Sequence, residues 1–294
     1  MARGGERLVT MSLPRLPARG LLANLCREAA ARERVQPQLV EKDFYLTRLL
    51  WALGQHFGDT LLLKGGTLLS KVDLGFFRMS EDADFVLPGE PSSQRRANAA
   101  RMHAVRDALK LIAPAVGMTV LFPAGEASER SAHCVWQLDH PSEFGKQGLR
   151  LEVSIRPVLR PSRAVKLGQL LDDPLLGDWT GATCFALDPH EARAEKVRAA
   201  FTREAIRDFY DLERLRVMGA DFSSKPFVKL VDQKLAELGA PALANQARSF
   251  GLVGRRRAAV QRSMERELAA VLRADAPAFD LDAMVAHFDE LWRR

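Results

Sequence analysis

The stretch Leu61–Phe85, LLLKGGTLLSKVDLGFFRMSEDADF, decides how the whole chain is read. It opens on the apolar run Leu61–Leu63, which fits a buried strand better than a half-exposed one. Lys64 and two glycines end that run. Gly65 and Gly66 let backbone come close to a ligand, and Thr67 is placed to N-cap a short helix whose Leu68, Leu69 and Val72 face one way, with Gly75 as its stop. Next comes Ser80-Glu81-Asp82-Ala83-Asp84-Phe85. An extended backbone there puts Asp82 and Asp84 on one face and Ala83 and Phe85 on the other, so two carboxylates converge on one point.

Like charges on one strand face repel each other and persist mainly where a cation neutralises them, and hard oxygen ligands favour magnesium or manganese. A glycine turn at a helix start offers N–H groups to phosphate, and the macrodipole adds to the attraction. An Asp-x-Asp standing alone reads better as two solvated side chains at a sheet edge. Its coupling to the Gly-Gly turn is what favours neighbouring phosphate and metal sites.

Outward from this stretch, the upstream chain is helical. Gly20 to about Arg34 carries Leu21, Leu22, Leu25 and Ala29 on one side. Pro37 opens a second helix, with Leu39, Leu46, Leu50, Leu53 and Phe57 on its apolar face and Gly58 as its end. Within it Glu41-Lys42-Asp43 puts three charges in succession, which periodicity alone assigns to a solvated face. Downstream, Ala97–Ala113 has a helical pattern, and Met118–Phe122, Ala132–Leu138 and Leu149–Ile155 read as strands. The third strand alternates cleanly, leaving Glu152 among Arg150, Ser154 and Arg156 on the face opposite Leu151 and Val153. By pattern alone Glu152 is an ordinary charge on the wet face of a half-exposed strand, and Asp139 is read as a loop residue.

Residues 157–183 read as irregular, around a short helix at Val165–Leu171, and as the connection to a helical region. Asp188-Pro189-His190-Glu191 is a helix start, with Asp188 as cap, Pro189 in the first turn and Glu191 completing a capping box. The helix that follows is read as carrying Lys196 and Arg203 on one face, and Asp208 and Asp211 share another, with Asp211 in reach of Arg207. Alone, this pattern describes an amphipathic helix with surface charge pairs. Phe227–Leu238, Ala242–Leu272 and Leu281–Trp292 are further helical patterns, and Arg255-Arg256-Arg257 is the densest basic cluster, suited to a solvated helix start or to an RNA backbone.

Composition sets limits on this picture. At 294 residues and 47% hydrophobic, the chain is long enough for one large domain or two modest ones, and it lacks the signature of disorder. Met1–Arg19 has no apolar core of a signal peptide, and no segment approaches the roughly 20 apolar residues of a membrane span, so a cytoplasmic protein without membrane partners is expected. Cys26, Cys134 and Cys184 are too far apart for a zinc site or a disulfide framework. A net charge of +6 permits a nucleotide or nucleic-acid partner but is mixed throughout with acidic residues.

Lys64-Gly65-Gly66-Thr67 followed by Ser80-Glu81-Asp82-Ala83-Asp84 resembles the first motif of the nucleotidyltransferase superfamily and, more narrowly, that of the AbiEii/AbiGii toxin family. Members of that family are nucleotidyltransferase-like toxins of bacterial type IV toxin–antitoxin and phage-defence systems. Glu41-Lys42-Asp43 followed by aromatics is similar to sequence upstream of the glycine turn in that family. Lys196, Ala199, Arg203, Arg207, Asp208, Asp211 and Leu212 match its late motif in order. The resemblance runs from about Glu41 to Leu212 and departs in the long gap before Asp82, which inserts Gly75–Met79.

The resemblance implies an α/β (α+β) nucleotidyltransferase fold, a mixed sheet with flanking helices over residues 1–186, and a helical C-terminal domain, 187–294, completing the active-site cleft. It implies transfer of a nucleoside monophosphate from a nucleoside triphosphate (NTP) to a hydroxyl acceptor such as the 3′ end of tRNA, and restraint by a cognate antitoxin. In that scheme Asp82 and Asp84, with Glu152, hold Mg2+ or Mn2+. Lys64, Gly65, Gly66, Thr67, Ser80, Lys196 and Arg203 bind the nucleotide, and Asp208, or else Asp211, orients the lysine. A phosphotransferase using the same site and a catalytically silent nucleotide- or RNA-binding protein are the alternatives.

Overall fold

The computed structural model describes residues 13–121, 132–239 and 249–293. The last residue of the strand read at Met118–Phe122, the start of the helix read at Ala242–Leu272, and most of Met1–Arg19 lie outside the described residues. Backbone contacts divide the chain into two units, one running to Val72 and again over Ser80–Leu187, the other formed by Asp73–Met79 and the chain from Asp188 onward.

The first unit is built on a mixed seven-stranded sheet with flanking helices. Its strands are β1 (Leu62–Leu63), β2 (Asp82–Pro88), β3 (Thr119–Leu121), β4 (His133–His140), β5 (Gln147–Arg156), β6 (Arg163–Lys166) and β7 (Thr183–Ala186), in the order β3-β4-β5-β2-β1-β7-β6. β2 runs parallel to β5, and β1 parallel to β7, while the other neighbouring pairs are antiparallel. The alternation read in β5 holds: Leu149, Leu151, Val153 and Ile155 are buried, as are Cys134, Trp136 and Leu138 on β4 and Ala83, Phe85 and Leu87 on β2. This apolar face is what drives the sheet to pack.

Among the described residues, the α-helices of this unit are α1 (Arg19–Glu33), α2 (Pro37–Phe57), α3 (Gly65–Leu68) and α4 (Arg95–Ala115). α2 and α4 contact each other and the sheet strands β5, β7 and β3. Gly54 lets α2 sit directly on β7, since a Cβ there would stand 2.7 Å from Cys184 Cβ. The three cysteines are buried free thiols.

Several local expectations are corrected. Glu41, Lys42 and Asp43 are buried, not solvated, because α2 is covered on nearly every side. Val165–Leu171 contains no helix: Val165 pairs with Cys184 in the edge strand β6, and a strand of four residues is too short to show a period. Asp139 lies inside β4, opposite Thr119 and Gly148, and not in a loop. The helix after the glycine turn starts at Gly65 with Lys64 as its cap, so Thr67 lies within it and does not cap it; one π-helical turn, Leu69–Asp73, then continues the chain.

The second unit is helical: α5 (Pro189–Thr202), α6 (Ile206–Val217), α7 (Lys225–Ala236), α8 (Gly254–Ser263) and α9 (Leu281–Arg293). Its core is aromatic, with Phe201, Phe250, Phe288 and Trp292 in mutual ring contact. Asp188 caps α5 through its carboxylate, which accepts from the backbone of His190 and Glu191. Glu191, in the first turn of α5, also pairs with the buried Lys234 of α7 at 2.7 Å. The basic run at α8 is divided: Arg256 donates to backbone carbonyls of Phe250, Ala200 and Phe201, and Arg257 pairs with Asp282. Among the described residues, no helix is long and apolar enough to cross a membrane.

Candidate active site

β1 and β2 bring the two halves of the first motif together. The Lys64 backbone N–H donates to Asp84 O at 2.9 Å, which holds the glycine turn beside the carboxylate pair. On β2, Asp82 and Asp84 are half-buried on one face while Ala83 and Phe85 are buried on the other. Gly65 has φ 72°, and a Cβ built on it would stand 3.0 Å from Asp84 Cγ and nearer still to Oδ2. Only glycine meets both the backbone conformation and the approach. Gly65→Ala is therefore expected to displace Asp84 and to cut activity more than stability, read by comparing turnover with melting temperature.

Thr67 serves this arrangement from inside α3. Its hydroxyl donates to Asp82 O and shares a 2.7 Å hydrogen bond with Ser80 Oγ. With one proton per hydroxyl, Ser80 is then the donor to Thr67. The turn and the start of β2 are thus tied by side chains as well as by the ladder.

Glu152 is the residue of β5 in register with Asp84. Its carboxylate lies 3.8 Å from Lys64 Nζ, 3.2 Å from His133 Nε2 and 4.0 Å from Arg150 Nη2. His133 was not singled out in the sequence; a histidine opening the strand next to the one that bears Glu152 was its available signal. Among the described residues, no three metal-ligating side chains form a preformed cluster. Magnesium does not require one, since it is usually held by one or two carboxylates together with substrate phosphates and water. The hard oxygens of Asp82 and Asp84, sharing one face against a glycine turn, fit that ion.

The charged triplet of α2 braces the same motif. Lys42 Nζ donates to Glu81 Oε1 at 2.6 Å, next in sequence to Asp82. Asp43 pairs with Lys71 in the π-helical turn and accepts from the Leu170 N–H at 3.1 Å, while Thr47 Oγ1 accepts from Lys71 Nζ at 2.8 Å. Lys71 is fully enclosed, and burial lowers its pKa despite Asp43.

In the second unit, Lys196 on α5 is buried, with Nζ 2.8 Å from Asp208 Oδ1 and 2.9 Å from Asp211 Oδ2 on α6. The surface-pair reading of this helix is thereby corrected. Burial would lower the Lys196 pKa, but the two carboxylates outweigh it and raise it. Asp208 Oδ2 is buried with no hydrogen-bond partner among the described residues. The partner of Asp211 is not Arg207 but Arg78, whose Nε and Nη2 grip both carboxylate oxygens at 2.6 and 2.8 Å. Arg78 comes from the insertion before Ser80, and an arginine within Phe76-Phe77-Arg78-Met79 was the sequence signal of a buried partner. Arg203 lies beyond the end of α5, extended and exposed, and so shares no helical face with Lys196.

The profile of the family described as nucleotidyl transferase AbiEii toxin, Type IV TA system, matches residues 48–294. Among solved structures, the chain is similar to MenT4, a nucleotidyltransferase toxin from Mycobacterium tuberculosis H37Rv, at 23% identity and a TM-score of 0.57 over 94% of each chain. It is also similar to JHP933 from Helicobacter pylori, at 13% identity and a TM-score of 0.48 over 87% of this chain and 91% of that one. Comparison with curated proteins gives no match.

Proposed function

We propose, for a chain that belongs to the family of AbiEii nucleotidyl transferase toxins of type IV toxin–antitoxin systems, that it transfers a nucleoside monophosphate from an NTP to a hydroxyl acceptor, the 3′ end of tRNA. The observation that supports this reading is the close approach of Asp84 to Gly65, with the half-buried carboxylate pair lying against the glycine turn.

Asp82 and Asp84, with Glu152 beside them, would hold a divalent metal, which neutralises charge on the triphosphate when bound. Gly65 and Gly66 cradle phosphate, and Thr67, buried and bonded to Asp82 and Ser80, holds the turn in place. Lys64, 3.8 Å from Glu152, stands at the turn to balance charge that develops as pyrophosphate departs. The acceptor oxygen bonds to the α-phosphorus, the bond from that phosphorus to the bridging oxygen breaks, pyrophosphate leaves, and the hydroxyl proton passes to water. For Lys196, oriented by Asp208 at 2.8 Å, and for Arg203, we propose the phosphate-binding role that the family resemblance assigns. The biological consequence is a block of translation, relieved by a cognate antitoxin in the cytoplasm.

Incubation with tRNA, Mg2+ and each NTP labelled at the α or the γ position tests this. Label should reach RNA only from the α position. Label arriving from the γ position would make the protein a phosphotransferase, and no transfer from either would favour a silent binding protein.

A further inference from the structure

Among the described residues, part of one sheet face is open beside the carboxylate pair, although Val86 and Ser154 on that same face are buried. Cross-strand register sets Asp82 beside Arg150, Arg150 beside Gln137, and Gln137 beside Leu121, a row running from β2 over β5 and β4 to the edge strand β3. A second row sets Asp84 beside Glu152 and Glu152 beside Val135. The opposite face of these strands is buried, whereas here Leu121 is 45% exposed and the side chains of His133 and Arg150 are 50% and 51% exposed. At about 4.8 Å per strand the first row is ~14 Å long.

In-line displacement fixes what approaches this face. On the nucleotidyl-transfer reading, on which this inference rests, the triphosphate lies at the glycine turn, which follows β1 on one side of β2. Pyrophosphate leaves toward that side. The attacking hydroxyl must arrive from the other, where β5, β4 and β3 lie.

The groups along that path match an unpaired polynucleotide end. The Arg150 guanidinium and the His133 ring are exposed planes of the kind on which splayed bases stack, Arg150 also answers phosphate, and Val135 and Leu121 add apolar contact. We propose that the open face of β3, β4 and β5 is the acceptor platform, and that it takes a single-stranded RNA 3′ end through Arg150, His133 and Leu121. A base-paired end keeps its bases stacked and cannot use these planes. Leu121 stands away from Asp82 and Glu152, so its effect is separable from any change in the carboxylates.

The test measures anisotropy of a fluorescent single-stranded RNA in the presence of Mg2+ and a non-hydrolysable NTP, together with KM for RNA and for NTP. Arg150→Ala, His133→Ala and Leu121→Glu should each weaken RNA binding about 5- to 100-fold with the melting temperature held, and Leu121→Glu should do so with KM for NTP unchanged. A blunt duplex should be bound equally by all forms. RNA affinity unaltered in all three variants, or an acceptor hydroxyl found to belong to a protein, would overturn the platform even while transfer proceeds. Failure of the wild type to transfer to any acceptor would instead refute nucleotidyl transfer, and the anisotropy series would still decide whether the face binds RNA.

Discussion

Replacing Asp82 or Asp84 by alanine lowers nucleotide transfer by at least about a thousandfold, because a metal at a phosphoryl site supplies several kcal/mol of charge stabilisation. The fold should survive. Both side chains are only half-buried on the open face of β2, and truncating either removes mutual repulsion without emptying the core formed by Ala83, Phe85 and Leu87. Activity assays beside thermal melts check this. Transfer persisting at near wild-type rate in either variant would remove the carboxylate pair from the chemistry.

The second large effect is on stability. Asp211 is fully buried and gripped by Arg78 at 2.6 and 2.8 Å, with Lys196 at 2.9 Å. Asp211→Ala leaves the Arg78 guanidinium buried without its carboxylate, whereas Lys196 keeps Asp208. Breaking a buried pair in this way costs about 3–5 kcal/mol, a large share of a domain's total stability. Denaturant melts should show that loss, and the paired substitution Arg78→Met with Asp211→Leu should recover much of it. A loss below about 1 kcal/mol would contradict the assignment.

The same pair sets an acid limit. Burial would raise the Asp211 pKa, but Arg78 and Lys196 outweigh it and hold it below the ordinary value of 3.8. Between the folded and unfolded values the unfolded chain binds more protons, so the stabilisation is present above pH 3.8 and is lost as pH falls through the folded value. Asp211→Asn should flatten that part of the stability profile.

What could be read from the sequence follows the range of the interactions. The Asp82/Asp84 alternation, the Gly65 turn, the alternating β5 and the Asp188 cap are local patterns, and their periods and dihedral demands are written within a few residues. The edge strand β6 is four residues long, too short for a period to show. The burial of Glu41, Lys42 and Asp43 was hidden for another reason. Their α2 positions read as the polar side of an amphipathic helix, and the partners Glu81 and Lys71 are 39 and 28 residues away. Arg78 and Asp211 are 133 residues apart, and nothing in the local pattern of either pointed to the other. The Gly75–Met79 insertion, a departure from the family pattern by sequence, proves to be part of the segment that carries Arg78 to its partner in the second unit.

The central claim is that the glycine turn and the carboxylate pair together form a metal-dependent triphosphate site. Calorimetric titration of a non-hydrolysable NTP into the protein, with and without Mg2+, tests it most directly. Magnesium should tighten binding to the wild type at least about tenfold, the equivalent of about 1.4 kcal/mol, and should fail to do so in Asp84→Asn. Equal affinity with and without the metal, or tightening that survives Asp84→Asn, would contradict it.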